Sequence, residues 1–349
     1  MKQTVLDSLN LGLLAALKID PNVILLGEDI QDPYGGAFKV TKGCSTAYPE
    51  RVITTPISEA GLGGIVAGMA LRGLRPVLEI MFGDFLTLLA DQVINHMAKF
   101  RWMYNDSVEL PLVIRTPMGG RRGYGPTHSQ SLEKIYLGIP GLTVLAPVNF
   151  SLPQKNCTPG SLLENIIMHT TSPVLFIENK LQYLFPLLNA DDLSEFDLQI
   201  LYDPSDHDKD FPIYSFKVKE APAPTISVAA YGYMAELARQ AQLKLAYEEE
   251  LFTELLIPTR LSPFALQPVV NSVSRTGSLL VIEEGTRTLG WGAEVVSLVV
   301  EKQASNLKQA RRLAAGETPV PAAVSLEKRM LPQLEDILEV LRKMNKKNG

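Results

Sequence analysis

Short apolar runs alternate with stretches of helical period along most of this chain. The runs fall at Val23 to Leu26, Pro76 to Ile80, Leu112 to Arg115, Leu142 to Ala146 and Val174 to Glu178. Helix-like segments lie between them, from Val5 to Leu17, from about Glu59 to Leu71, and from Phe85 to Phe100. In the last of these, Leu86, Leu89, Val93 and Met97 recur at the spacing of one buried helix face, so they belong to a core. Strand-length runs separated by helices are the sequence form of a parallel sheet covered by helices.

The pattern breaks after Asn189. Asp191, Asp192, Glu195, Asp197, Asp203, Asp206, Asp208 and Asp210 crowd a segment that ends in Ala-Pro-Ala-Pro at residue 224. This reads as a solvated linker. It lacks the alternating ligands and turn glycine of a calcium loop. A second alternation follows, with strands at Ile226 to Tyr231, Glu254 to Ile257 and Leu279 to Ile282. A last helix begins after Pro332 and is closed by Lys346 and Lys347, whose charge complements the helix dipole. The expected architecture is therefore α/β, with two doubly wound domains at 1–188 and 225–349 and an acidic linker at 189–224.

Length and charge narrow the function. The chain has 349 residues, enough for two cores, and a net charge of -5 with no Lys/Arg stripe, which argues against nucleic acid or an anionic membrane as principal ligand. No apolar stretch approaches the ~18 residues needed to span a membrane. The two cysteines, Cys44 and Cys157, have no ligand-like spacing, which fits a reducing compartment. The start, MKQTVLDSLN, lacks a charged region followed by an apolar run, so a cytoplasmic location is expected, although a removed presequence would leave no trace.

In doubly wound sheets ligands collect beyond the carboxyl ends of the strands. Three loops there carry chemistry: Gly27-Glu28-Asp29 with Gly35-Gly36, Thr55 to Gly61, and Met118 to Ser131. Glu59 sits among Ile57, Ala60, Leu62, Ile65 and Val66, which predicts partial burial and a carboxyl able to exchange a proton near neutral pH. The alternative is a surface glutamate at a helix start. His128, in a Gly- and hydroxyl-rich loop, is a general acid or base, or else a loop histidine that only hydrogen-bonds backbone. The four histidines form no HxxH or HxxxH pair, so no metal site is expected. Gly61 and Gly63, with Glu79 further on, mimic a dinucleotide fingerprint. The third glycine position holds Val66, and these glycines are better read as letting their helix approach a neighbour.

Taken together, the loops resemble the beta subunit of the thiamine-diphosphate-dependent decarboxylating component of 2-oxo acid dehydrogenase complexes, a transketolase-like family. The likeness runs through LGEDI (26–30), GGAFKVTKG (35–43), ERVITTPISEAG (50–61), GLRPVLEIMFGDF (73–85), DQVINHMAK (91–99), the GGRRGYGPTHSQS loop (119–131) and PGLTVLAP (140–147). Weaker echoes are LSPF (261–264), VIEEG (281–285), GWGAEV (290–295) and TPVP (318–321). The resemblance implies an N-terminal pyrimidine-binding domain and a C-terminal transketolase-like domain. It implies that Glu59 hydrogen-bonds the aminopyrimidine nitrogen and favours its imino tautomer, and that Phe85 stacks on the pyrimidine. Ile57 and Met81 would line the same pocket, Glu28 would be an acid near the ring, and His128 would handle protons during acyl transfer to a lipoyl group.

The chain has no Gly-Asp-Gly followed some 25 to 30 residues later by asparagine, the family's element for magnesium and diphosphate. The resemblance assigns that half to an alpha subunit in an alpha2beta2 heterotetramer, with a lipoyl acyltransferase and a 2-oxo acid as further partners. The stretch from Pro147 to Pro173 departs from the family's shorter helix and Asp/Asn-containing turn, which puts its monovalent cation, potassium, in question. The competing functions are an acetoin-cleaving or acyl-transferring subunit with another acceptor, and a non-catalytic scaffold. Intact Glu59, Phe85 and His128 argue against the scaffold.

Overall fold

The computed structural model describes residues 2–346, so Lys347 lies outside the described residues. The chain separates into two compact units, Met1–Met118 with Ile135–Leu187, and Gly119–Lys134 with Leu188–Gly349.

The first unit opens with helix Val5–Ile19, started by a reciprocal cap in which Asp7 N–H donates to Thr4 Oγ1 at 3.2 Å and Thr4 N–H donates to the Asp7 carboxylate at 3.0 Å. The strands β1 (Val23–Gly27), β2 (Val52–Thr54), β3 (Arg75–Glu79), β4 (Val113–Met118), β5 (Thr143–Leu145) and β6 (Val174–Asn179) lie in the order β2-β1-β3-β4-β6-β5 and pair in parallel. The chain runs from β1 to β2 on one side, then crosses to β3 on the other. That reversal places a switch point at the carboxyl ends of β1 and β3.

Helix Glu59–Leu71 follows β2, and its neighbour in sequence is less regular than its periodicity predicts. The expected helix over 85–100 is an α-helical Leu86–Asp91, a π-helical Gln92–Met97 and a separate turn, Phe100–Met103. Leu86, Leu89, Val93 and Met97 are buried, so the wider π turn keeps the apolar residues on one face. Gly63 permits the approach of this segment, because a Cβ there would stand 2.5 Å from Leu89 Cδ1 and 2.8 Å from Gln92 Cβ.

The second unit holds β7 (Phe196–Leu201), β8 (Ile213–Val218), β9 (Ile226–Ala230), β10 (Thr253–Pro258), a short β11 (Arg260–Ser262), β12 (Ser278–Thr286) and β13 (Gln309–Ala315). Six of them form a sheet in the order β13-β12-β9-β10-β8-β7. The parallel strands β13, β12, β9 and β10 meet β8 and β7 in antiparallel pairs.

This corrects the expected linker, since 189–224 supplies the two strands at one side of the sheet, the edge strand β7 and its neighbour β8. In β7, Phe196, Leu198 and Ile200 turn inward while Asp197 and Gln199 are exposed. Two of the aspartates between β7 and β8 are buried and cap backbone: Asp203 accepts from Ser205 N–H at 3.0 Å and Gln267 N–H at 2.8 Å, and Asp206 from Phe211 N–H at 2.8 Å, whereas Asp208 is exposed. A second correction concerns 119–134, expected within the first domain. It belongs to the second unit.

Candidate active site

The switch point of the first unit gathers three chain segments. Glu28 follows β1, Glu59 begins the helix after β2, and Met81 and Phe85 follow β3. Glu28 and Glu59 are both buried, at 9% and 6% exposure. Burial pushes the Glu28 carboxyl up, and the charge of Glu59 pushes it further, with Asp29 adding to both. Among the described residues no hydrogen bond reaches either side-chain carboxylate. Neither carboxylate has a donor among these residues and neither is sealed from solvent, so both stand open to a donor from a ligand.

The ring after β3 is anchored by aromatic contact. Phe85 and Phe82 meet edge-on with centroids 5.8 Å apart, and Phe82 meets Phe38 in the same way at 5.6 Å. Phe85 and Met81 are half-buried, whereas Ile57 is 82% exposed and packs against little of its own chain. Ile65 and Leu88 are also exposed.

Behind this site lies a charged network that the sequence reading did not identify. Arg115 on β4 donates from Nη1 to Glu79 on β3, from Nε to Glu178 on β6 at 2.8 Å, and from Nη2 to the other Glu178 oxygen at 2.5 Å. Tyr183 donates its hydroxyl to Glu178 at 2.5 Å. Glu79 also stands against the glycines leading into and out of the Glu28 turn: a Cβ on Gly36 would be 2.7 Å from its Oε1, and one on Gly27 3.0 Å from its Cβ. Glu79 is thus an ion-pair partner buried in the sheet, which disposes of the dinucleotide-like reading of this segment.

His128 lies in the second unit, half-buried, and its Nδ1 is 3.0 Å from Thr127 Oγ1. Its loop is closed at the base by Gly119 N–H donating to Gln130 O at 3.4 Å. Further on, Tyr231 donates its hydroxyl to Glu133 at 2.6 Å and Lys134 donates to Thr286 Oγ1 at 2.5 Å. Glu283, beside these groups on β12, is pushed up to about 7 by burial, with the charge of Glu133 adding and the N–H of Gly292 opposing. Glu283 and Glu284 fall within the VIEEG echo, the one sequence signal that pointed to them.

The residue types fit the pyrimidine half of thiamine diphosphate: an aromatic amine could donate to the two open carboxylates, and the segment after β3 offers an aromatic side chain. The turn that put potassium in question is lined by cationic side chains. In the turn after helix Pro159–His169, Arg75 donates from Nη1 to Ile167 O at 3.0 Å and Thr170 O at 3.2 Å. Arg101 donates from Nη1 to Thr171 Oγ1 and Ser172 Oγ, both at 3.1 Å. Guanidinium groups thus engage carbonyl and hydroxyl oxygens at this turn, whose residues 170–173 carry no carboxylate or carboxamide. Among the described residues no cluster of three or more His, Cys, Asp or Glu could hold a metal ion, and no helix is long and apolar enough to cross a membrane.

Comparison with known proteins identifies the fold and the family. Residues 2–184 match the transketolase pyrimidine-binding domain and residues 217–337 the transketolase C-terminal domain. A split-gene transketolase, described as an inactive beta4 tetramer, superposes with a TM-score of 0.71 at 17% identity, covering 98% of each chain. The fold is therefore transketolase-like. The chain is 35% identical to the mitochondrial pyruvate dehydrogenase E1 component subunit beta-1 of Arabidopsis thaliana, over 98% of this chain and 89% of the relative. The corresponding beta subunits of Leifsonia xyli and Homo sapiens are each 33% identical, over 97% and 98% of this chain and 93% and 90% of the relatives. The chain belongs to the E1 beta subunits of the thiamine-diphosphate-dependent 2-oxo acid dehydrogenase complexes.

Proposed function

We propose that this chain supplies the pyrimidine-binding half of a 2-oxo acid dehydrogenase whose alpha-type partner holds the diphosphate and magnesium, in an alpha2beta2 heterotetramer that passes the acyl group to a lipoyl acyltransferase. The observation that carries the reading is the pair of buried carboxylates, Glu28 and Glu59, neighbours in space and without hydrogen-bond donors of their own. A cytoplasmic location is part of the same proposal, supported by Cys44 and Cys157, buried thiols that form no disulfide.

When bound, thiamine diphosphate supplies an acceptor for the electron pair left as carbon dioxide departs. The protein's own contribution is proton handling and orientation. Glu59 accepts a hydrogen bond from a ring nitrogen and holds the shared proton. Glu28, its carboxyl raised by burial and by Glu59, stands ready as a proton reservoir beside it. Phe85 fixes the plane of the ring from the segment after β3, and the exposed Ile57 takes part in the pocket only once the partner chain closes over it. His128 delivers a proton to the acceptor sulfur during acyl transfer.

The test is reconstitution. Purified alone, the chain should turn over no 2-oxo acid. Co-purified with its alpha-type partner and supplied with thiamine diphosphate and magnesium, it should decarboxylate and acylate a lipoyl domain. Turnover by the isolated chain, or an assembled complex that binds the cofactor and stays inert toward every 2-oxo acid offered, would overturn the proposal.

A further inference from the structure

The loop that carries His128 is held by acidic groups from distant parts of the second unit. Gly120 N–H donates to Glu284 at 2.7 Å, Arg121 N–H to Glu327 Oε1 at 2.7 Å, and Gly123 N–H to Glu327 Oε2 at 3.2 Å. Arg121 and Gly123 both have left-handed backbone, with φ of 73° and 70°. For arginine that conformation costs energy and persists only where the surroundings enforce it. Here the enforcement is visible: each Glu327 oxygen takes one N–H of the strained turn. Arg121 also donates from Nη2 to Pro332 O at 2.5 Å, and its guanidinium lies 4.9 Å from the centre of the Tyr233 ring. Gly120 packs so closely that a Cβ would fall 2.5 Å from Leu331 Cδ1 and 3.1 Å from Glu327 Oε1.

Glu327 is 3% exposed, on the short helix Val324–Met330, and its carboxylate is the only feature of that helix turned to the strained turn by hydrogen bonds among the described residues. Its two bonds are charge-assisted, and they reach the chain five to seven residues before His128. The segment in between is short and glycine-rich. Gly125, with φ of 77°, accepts from His128 N–H at 3.3 Å, and a Cβ added there would meet Ala322 Cβ at 3.4 Å. The carboxylate therefore sets where the histidine-bearing segment begins.

We propose that Glu327 is a positioning residue for acyl transfer, holding the His128 loop in its working conformation by binding the backbone of the turn at Arg121 and Gly123. This rests on the role given to His128 above. A glutamine at 327 keeps the volume but offers one acceptor oxygen; its amide nitrogen would face the second N–H donor and bind neither lone pair nor proton there. Loss of one charge-assisted bond should raise the opening equilibrium of the turn roughly ten- to a hundredfold.

The experiment uses the assembled complex with Glu327→Gln and, separately, His128→Ala. In Glu327→Gln, hydrogen exchange in peptides covering 119–131 should accelerate about tenfold or more, with the rest of the second unit unchanged. Acylation of a lipoyl domain should fall by about tenfold, while decarboxylation with an artificial electron acceptor stays within about twofold of wild type. Glu327→Asp, which retains both acceptor oxygens, should recover part of the lipoyl reaction. Unchanged exchange in the loop, acceleration spread through the whole unit, or equal losses in both reactions would overturn the proposal. If His128→Ala leaves lipoyl acylation intact while Glu327→Gln loosens the loop and slows it, the positioning by Glu327 stands and the histidine's role falls.

Discussion

Replacing Arg115 with methionine should expose how much the candidate site depends on charges buried beneath it. Arg115 and Glu178 are each 1% exposed and Glu79 8%, and the guanidinium is the only cation among the described residues that hydrogen-bonds to both carboxylates. Methionine fills much of the stem's volume but leaves two carboxylates facing each other in the sheet. Breaking a buried ion pair from one side costs about 3 to 5 kcal/mol, a large share of a domain's net stability. The penalty should depend on pH with a definite sign. Burial, then the charge of Glu178, already push the Glu79 carboxyl up, and Arg115 opposes them. Without Arg115 it rises further, so the folded state holds a proton that the unfolded chain releases. Stability of the variant then falls as pH rises from the ordinary carboxylate range through the raised value. Hydrogen exchange of the β3, β4 and β6 amides reports this unit without assuming that the whole chain unfolds in one step. The loss of protection should be largest at about pH 8, smaller at about pH 5.5, and reduced when Glu79→Gln and Glu178→Gln are added. A penalty below about 1 kcal/mol at both pH values would refute the reasoning, because such a network would then be no more than a solvated surface pair.

Three further outcomes follow from the geometry. Glu59→Gln in the assembled complex should lower kcat by about 10²-fold or more and leave the fold intact, and steady-state turnover near wild type would remove Glu59 from proton transfer. Exchanging potassium for choline at constant ionic strength should leave the thermal midpoint unchanged, whereas Arg101→Gln should lower it by about 2 to 4 °C; a potassium-specific rise in wild type would show that the turn takes a cation after all. Glu283, pushed up to about 7 by burial, should make the second unit lose stability as pH rises from about 4.5 to 7 and then level off. Glu283→Gln should abolish that slope and stabilise the unit at about pH 8 by on the order of 3 kcal/mol, read from the fluorescence of the buried Trp291. Retention of the slope in the variant would assign it to another group.

Most of the parallel strands and the helix at Glu59–Leu71 were legible because apolar residues repeat there locally; Gln309–Ala315, half-exposed along most of its length, was not. Nor were other features. Val52–Thr54 is short, with Ile53 and Thr54 exposed, so no apolar run marks it. The strand at Phe196–Leu201 does alternate, but the surrounding aspartates hid it, because their capping roles depend on backbone turns that composition does not reveal. In the candidate site, loop position and apolar neighbours left Glu59 open between partial burial and a surface place at the helix start; it is buried although Ile57, Ala60 and Ile65 beside it in sequence are exposed. The pairing of Glu79 with Arg115 and of Glu327 with Arg121 spans 36 and 206 residues, and no local pattern carries information over such separations.

The chain leaves the first unit at Met118, contributes Gly119–Lys134 to the second, and returns at Ile135. The two units are therefore not separable by one cut. A fragment ending near Leu187 would carry the histidine loop without Glu284, Glu327 or Tyr231 to hold it, while the complementary fragment would lack the loop altogether. In a lineage that exchanges domains by recombination, a single crossover at the obvious boundary would combine a loop from one parent with its acidic supports from another. Inheritance of a working second unit thus requires two crossovers or matched partners, which binds residues around 120 and around 327 to a shared history despite their distance along the chain.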